Sequence, residues 1–395
     1  MEDKLRILHL YKDYHPVRGG IENYVGLLAR AQAAAGHDVT VLVAQRKGMK
    51  TSDTMEDGVR VIRAKRWGTL ASTPISPAFF RQAGRLKADL AHLHFPHPPG
   101  EVAWLWHRPS PRAVMTFHCD IVRQKGILRL YRPLMKRVLR GMDRILVSSP
   151  PMMDNPALDG CRDRCAVVPF AVDLGPFAVP DAGEKRAARR RLGLPEEGPL
   201  LLFVGVLRYY KSLETLIEAM PRIPTRAAFV AVGEGPMRGA WEVLAARSPA
   251  AGRIRFAGRA PDEALADWYR AADLFVLPSG SRAEAFGLVL LEAMACGLPC
   301  VTTEVGTGTS WVNLHGETGV VVPPNEPGEL ADAVTALLGT PDRMRQMGAN
   351  ARRRVETHFT VEGMMAALDR IYRDVAGAAA EGPGSGRHPE GRRGR

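Results

Sequence analysis

The feature that most constrains this chain is an alternation that runs through it twice. Short, nearly continuous apolar runs are separated by amphipathic stretches of helical period. LRILHLY (5–11), VTVLVA (39–44), VRVIRA (59–64), DLAHLH (89–94), AVMTFH (113–118) and RILVSS (144–149) read as strands, and Ile21 to Ala35 as the first helix. Strands that are apolar on both faces belong to parallel sheets covered by helices on both sides. The pattern pauses at PFAVDLGPFAVPDAG (169–183), rich in Pro and Gly, which reads as a domain boundary. It resumes with LLFVGVL (201–207), AFVAVG (228–233), IRFAG (254–258), DLFVLP (273–278), LPCVTT (298–303) and TGVVVP (318–323). The expectation is an α/β chain of two doubly wound, Rossmann-like domains, 1–175 and 176–360. A helix within 361–380 is free to cross back to the first domain, and the Gly/Pro/Arg-rich segment 381–395 reads as a disordered tail. Ligands of such folds bind at the carboxyl ends of the strands, here across a cleft.

A length of 395 residues suits two domains. The net charge is +12, and its distribution is uneven. Residues 1–175 hold 27 basic against 16 acidic side chains, a net +11; residues 176–380 are at −1 and the tail at +2. The excess therefore marks the first domain as the one that meets an anionic partner. Between Ile121 and Arg144 stand eight basic residues (Arg123, Lys125, Arg129, Arg132, Lys136, Arg137, Arg140, Arg144) against the single acid Asp143. Apolar residues recur among them at helical spacing, which suits an anionic membrane surface or an apolar stripe packed on the domain with solvated charges. Nucleic acid is not expected, because no aromatic-interleaved basic platform accompanies the charge. Five cysteines, two pairs of them spaced C-x3-C, fit neither a disulfide framework nor the C-x2-C of zinc ribbons. No apolar run approaches the ~18 residues of a membrane span, and MEDKLRILHLYKDY has no apolar signal core. The expected location is the cytoplasm, with peripheral contact at the inner face of the membrane.

The most specific segment is EAFGLVLLE (284–292), two glutamates eight apart around an apolar run. With a helix starting near Phe286, Glu284 lies in the preceding loop. The amides of Gly287, Leu288 and Val289 are then first-turn donors suited to a diphosphate. Glu292, about two turns in, is placed for ribose hydroxyls. A Glu in so apolar a stretch needs a partner, whether ligand or protein.

This segment, followed by AMACGLPCV, resembles the signature of the retaining glycosyltransferases of family 4. The resemblance extends over about residues 5 to 375. GGIENYV (19–25), HLHFPHP (92–98), TFHCDIVRQ (116–124), FVGVLRYYKS (203–212), VGEGP (232–236), ADLFVLPS (272–279) and TGVVVPP (318–324) resemble further family elements in the same order. It implies the GT-B architecture, with the active site between two Rossmann-like domains. Gly19 and Gly20 match the loop that approaches donor phosphate and acceptor. His118 matches the histidine beside the transferred sugar, and Lys211 the lysine paired with the diphosphate. Glu284 matches the glutamate on the donor sugar and Glu292 the one on ribose, while Phe286 and Gly233 fall in matching donor-domain elements. Two positions depart from the pattern. Gly205-Val206-Leu207 stands where G-R-L is common, leaving Arg208 as the candidate phosphate arginine. GTGTS (306–310) stands where G-G-x-x-E is common, so Ser310 takes the acid's place.

The implied chemistry is transfer of a hexose from a nucleotide sugar, GDP- or UDP-linked, to a lipid-linked or oligosaccharide acceptor. Arg208, Lys211 and the helix amides would stabilise the departing diphosphate, with no cofactor and no metal. TFHCDIVRQK and GTGTSWVN look most like bacterial mannosyl- or rhamnosyltransferases of polysaccharide assembly. Two alternatives keep the fold: a nucleotide-sugar epimerase, and a non-catalytic nucleotide-sugar-binding module. A third reading takes His92, His94, His97 and His118 as zinc ligands of a metallohydrolase, against strand-end residues lining a cleft, the favoured reading of the two.

Overall fold

The computed structural model describes residues 4–17, 19–70, 73–119 and 125–377. The tail 381–395 and residues 121–124 of the basic segment lie outside the described residues. The N-terminal strands are β1 (Arg6–Leu10), β2 (Asp38–Ala44), β3 (Ser52–Glu56), β4 (Val59–Ala64), β5 (Gly68–Leu70), β6 (Thr73–Ile75), β7 (Leu90–Phe95), β8 (Arg112–Phe117), β9 (Arg144–Val147) and β10 (Cys165–Val167). Apart from the small β5–β6 hairpin they form one sheet in the order β10-β9-β8-β7-β1-β2-β4-β3. It is parallel except where β3 returns antiparallel to β4. The second domain carries β11 (Leu200–Val204), β12 (Ala228–Val232), β13 (Ile254–Gly258), β14 (Leu274–Leu277), β15 (Cys300–Thr303) and β16 (Gly319–Val322), in the parallel order β13-β12-β11-β14-β15-β16. Both sheets reverse their strand order next to the first strand, which makes the clefts at β1 and β11 the switch points where ligands bind.

Strand β3 has no counterpart in the apolar pattern. Its sequence SDTME is polar because it is an exposed edge strand, tied to β4 by Arg60–Asp53 at 2.7 Å and by the Arg63–Glu56 pair. Charged edges of this kind block further strand pairing.

The two faces of the N-terminal sheet bury different cores. One is covered by helices Pro77–Arg85, Pro98–His107 and Lys125–Arg140 and contains Leu93, Phe95, Met115 and Phe117. The other, with Ile7, Val41, Leu90 and Val114, is continuous with the core of the second domain. It is covered by helix Gly20–Ala34 and by the last helix, Val361–Gly377, whose Tyr372 is buried there. The first helix of the second domain, Ala182–Arg191, is started by a capping box. Asp181 accepts from the amides of Gly183 and Glu184, and Glu184 accepts in return from the Asp181 amide. Such a cap is worth about 1 kcal/mol. The buried guanidinium of Arg189 then reaches Asp273 at 2.6 Å, locking this helix to the start of β14.

In helix Lys125–Arg140 the side chains of Met135, Val138 and Leu139 are buried in the domain, whereas Arg129, Arg132, Lys136, Arg137 and Arg140 are exposed. Among the described side chains, the fully buried apolar ones face the protein and the exposed charged ones are basic. Beside it, helix Pro98–His107 exposes Trp106 (76%) and is tied to it by the Tyr131 hydroxyl on Glu101. Among the described residues no helix is long and apolar enough to cross a membrane.

Candidate active site

The second-domain side of the cleft is built at the carboxyl ends of β11 and β14. After β11 the chain turns through Gly205 into a single 3-10 turn, Tyr209–Lys211, which buries Lys211. After β14 the loop bearing Ser279 and Glu284 folds over it. Lys211 Nζ forms an ion pair with Glu284 Oε2, and Ser279 Oγ donates to the same oxygen at 3.1 Å. The Glu284 carbonyl accepts from Thr307 Oγ1 at 2.6 Å, which fastens the 306–310 loop to the Glu284 loop. Burial works against the Lys211 charge, but Glu284 outweighs it and leaves the ammonium more basic than usual. Lys211 is thus a permanent cation. Arg208, three residues earlier, is exposed. Its charge acts on Lys211 and, across the cleft, on Tyr11 just past β1.

The glutamate-flanked helix runs from Leu288 to Ala295, two residues later than expected. Gly287, at φ 80°, takes the left-handed conformation and is the N-cap, so Phe286 is not helical. This places Glu292 a little over one turn into the helix rather than two. The helix N-terminus meets the other domain: a Cβ on Gly20 would lie 3.9 Å from Leu288 Cδ1. At Gly19, the extended N-cap of helix Gly20–Ala34, a Cβ would meet the Glu22 carboxylate, which would have to swing aside. The Leu288 side chain at the start of Leu288–Ala295 thus lies against Gly20 of the first domain.

Other expected residues fall as follows. The Phe286 ring is buried among Phe170, Phe359 and Trp311, with centroids 5.1, 5.9 and 6.4 Å away, so only its backbone is available to a ligand. Val289 is half-buried in the first turn. Gly233, at the end of β12 with φ 145°, packs its backbone on Gly205, and a Cβ there would overlap the Gly205 carbonyl oxygen. Ser310 is half-exposed in the short helix Thr309–Val312. Glu292 accepts from the buried Tyr269 hydroxyl at 2.5 Å. Its partner in the structure is therefore a protein group, and burial raises its pKa to about 7.

The histidines differ from expectation. His92 and His94 do not line a cleft; together with His9 they are fully buried on the face of the sheet that packs against helices Gly20–Ala34 and Val361–Gly377. The cause is register. His9 pairs with His92 and His94 with Thr116, so His9, His92, His94, Thr116 and His118 form one polar stripe over β1, β7 and β8. His9 Nδ1 meets His94 Nε2 at 3.0 Å, and His94 Nδ1 meets His118 Nε2 at 3.0 Å. His9 Nε2 reaches Gln32 Oε1 at 2.7 Å, and Gln32 Nε2 donates to Tyr372 Oη at 3.0 Å. His92 spans Tyr372 Oη (2.6 Å) and Thr116 Oγ1 (2.7 Å). Every ring nitrogen of His9, His92 and His94 is thereby engaged, so a metal could be taken by these three close-lying rings only at the expense of those hydrogen bonds. His97 sits apart, against Phe79 with centroids 5.2 Å away. His118 lies just beyond β8 beside Tyr24 and Phe170, and its Nδ1 has no partner among the described residues. Sequence reasoning missed His9, Gln32 and Tyr372. The signal for His9 was a polar residue inside an apolar strand; for the other two the contact spans 340 positions and leaves no local trace.

Residues 19–171 match a glycosyl transferase 4-like domain, and residues 184–354 match glycosyl transferases group 1. The chain is 36% identical to the D-rhamnosyltransferase WbpZ of Pseudomonas aeruginosa, over 90% of this chain and 92% of that protein. It is 34% identical to the O-antigen chain mannosyltransferase C of Escherichia coli, over 93% and 98%. The fold is similar to that of sucrose-phosphate synthase from Thermosynechococcus elongatus, with a TM-score of 0.80 and 25% identity over 95% of this chain and all of that one. Two parallel-sheet domains facing across a cleft, with a buried Lys–Glu pair on one side and paired glycines on the other, are the GT-B arrangement, and the chain belongs to the group 1 glycosyl transferases.

Proposed function

We propose that this enzyme moves a hexose of the mannose or rhamnose type from a nucleoside-diphosphate sugar to a saccharide or lipid-linked acceptor, with retention at the anomeric carbon, in assembly of a bacterial surface polysaccharide. The observation that carries this reading is the buried Lys211–Glu284 pair, with the start of helix Leu288–Ala295 lying against Gly20 of the other domain. Glycosyl–phosphate cleavage leaves negative charge on the diphosphate. Lys211, Arg208 and the helix amides supply fixed positive charge where it develops, so the reading needs no metal. Glu284, an acceptor-only carboxylate on the other side of Lys211, suits hydroxyls of the sugar. Glu292 suits ribose hydroxyls, in exchange for or in addition to Tyr269. A neutral, buried His118 suits an uncharged sugar rather than the diphosphate.

The relatives named above act on rhamnose and mannose, which supports the sugar class. The acceptor falls to the first domain, where the charge excess lies. The exposed cations of helix Lys125–Arg140 favour lipid phosphates, and we infer peripheral contact through charge rather than insertion. The test is to incubate the protein with GDP-mannose, GDP-rhamnose and UDP-hexoses plus a saccharide acceptor and to read the anomeric configuration of the product by NMR. Retention supports the reading; an inverted product, or epimerised sugar nucleotide without transfer, contradicts it.

A further inference from the structure

The imidazole chain beneath the cleft has a direction. Burial holds His9 at about 4 and His118 at about 3, and pushes His92 and His94 well below the usual imidazole value, so all four rings are neutral at pH 7 and carry one proton each. In a chain of neutral imidazoles each ring donates from one nitrogen and accepts at the other. The orientation of the first link then dictates every other. Gln32 presents Oε1 to His9 while its Nε2 donates to Tyr372 Oη. His9 must therefore hold its proton on Nε2 and accept at Nδ1. His94 holds its proton on Nε2 and donates to His9, and His118 holds its proton on Nε2 and donates to His94 Nδ1. The free end of the chain is His118 Nδ1, a bare lone pair with no partner among the described residues. On the other branch Tyr372 donates to His92 Nδ1, and His92 Nε2 donates to Thr116.

The His118 end of the chain favours the same direction. Turning the Gln32 amide over would reverse every proton and leave an N–H on His118 Nδ1 with no acceptor among the described residues. A buried orphan N–H is rarer and costlier than an under-used acceptor. Tyr372 matters because it is what the Gln32 amide donates to, and it lies on the helix that arrives from the second domain.

We propose that Gln32 and Tyr372 are positioning residues that act through His9 and His94 to fix His118 as the Nε2–H tautomer, so that its Nδ1 accepts a hydrogen bond from a hydroxyl of the transferred sugar. The tautomer is a property of the protein alone; only its use rests on the reading of the cleft as a sugar site.

The experiment labels the histidines with 15N and reads ring protonation by long-range 1H–15N NMR on the ligand-free protein, with the His118→Phe spectrum identifying the His118 signals. The expected result is a protonated Nε2 and an unprotonated Nδ1 at His118. In Gln32→Leu, His9 loses its acceptor, and His118 is expected to populate the Nδ1–H form. Tyr372→Phe, which frees the Gln32 amide to turn, is expected to do the same and serves alone if Gln32→Leu does not fold. Both variants are expected to lose about five- to tenfold in donor kcat/KM, the worth of one neutral hydrogen bond, with unchanged nucleoside-diphosphate affinity. A protonated Nδ1 in the wild type, or a His118 tautomer unmoved in both variants, overturns the proposal. A tautomer response without any sugar transfer supports the chain and counts against the transferase reading instead.

Discussion

Lys211 Nζ and the Glu284 carboxylate form an ion pair sealed between the carboxyl ends of β11 and β14, each side chain less than a tenth exposed. A buried pair of this kind contributes little net stability, but removing one partner strands the other charge in a poorly solvated site. In the proposed reading its value lies in pre-placing a cation where a diphosphate leaves and a carboxylate where the sugar sits. Glu284→Ala and Lys211→Ala are each expected to destabilise the fold by about 3 kcal/mol. The double variant Lys211→Met with Glu284→Leu is expected to be more stable than either. Urea unfolding of the four proteins gives the comparison; additive losses would mean that the two charges do not interact.

Glu292 is coupled to pH through its burial. Its folded-state pKa of about 7 lies above the ordinary 4.5, so the folded protein holds its proton more tightly than the unfolded chain. The sign follows: this residue's contribution is fully present below about pH 4.5 and is lost as the pH rises to about 7. The stability of Glu292→Gln, relative to wild type, is therefore expected to rise over that window. If ribose hydroxyls donate to Glu292, nucleotide affinity should move the opposite way and tighten through about pH 7, a trend absent in Glu292→Gln. Thermal unfolding and calorimetric titration at pH 5 to 8 check both.

Much of the fold was legible because parallel strands buried on both faces leave near-continuous apolar runs. What escaped was what apolarity does not encode. The exposed strand β3 is polar because water covers it. The helix at Leu288 starts late because Gly287 is left-handed, a conformation that a glycine permits but does not announce. Lys211 and Glu284 were each named from the resemblance, yet their contact is a product of two strand ends 73 positions apart. His9, Gln32 and Tyr372 join the site only through register and the crossing of the last helix.

Gly233 is expected to reject any side chain. With φ 145° and the Gly205 carbonyl where a Cβ would go, Gly233→Ala should cost about 1–3 kcal/mol. It should also weaken nucleotide binding, because β11 and β12 end together there. A stable variant with full affinity would remove this strand end from the site.

The exposed cations of helix Lys125–Arg140 are expected to bind anionic vesicles. Replacing Arg129, Lys136 and Arg140 together by Ser should sharply reduce pelleting with phosphatidylglycerol vesicles, since each basic residue near such a surface is worth about 1 kcal/mol. The melting temperature should hardly change, because the buried face of the helix is Met135, Val138 and Leu139. Salt should release the wild type in the same way. Pelleting that survives both salt and substitution would point instead to apolar insertion.

The central claim is that the cleft between β1 and β11 binds a nucleotide sugar through Lys211 and Glu292. Calorimetric titration with GDP-, UDP- and dTDP-sugars tests it most directly. At least one donor is expected to bind the wild type well below millimolar, and Lys211→Ala and Glu292→Ala, both folded at the temperature used, should each bind it at least tenfold more weakly. No binding by the wild type at millimolar donor, or unchanged affinity in both variants, would contradict the account.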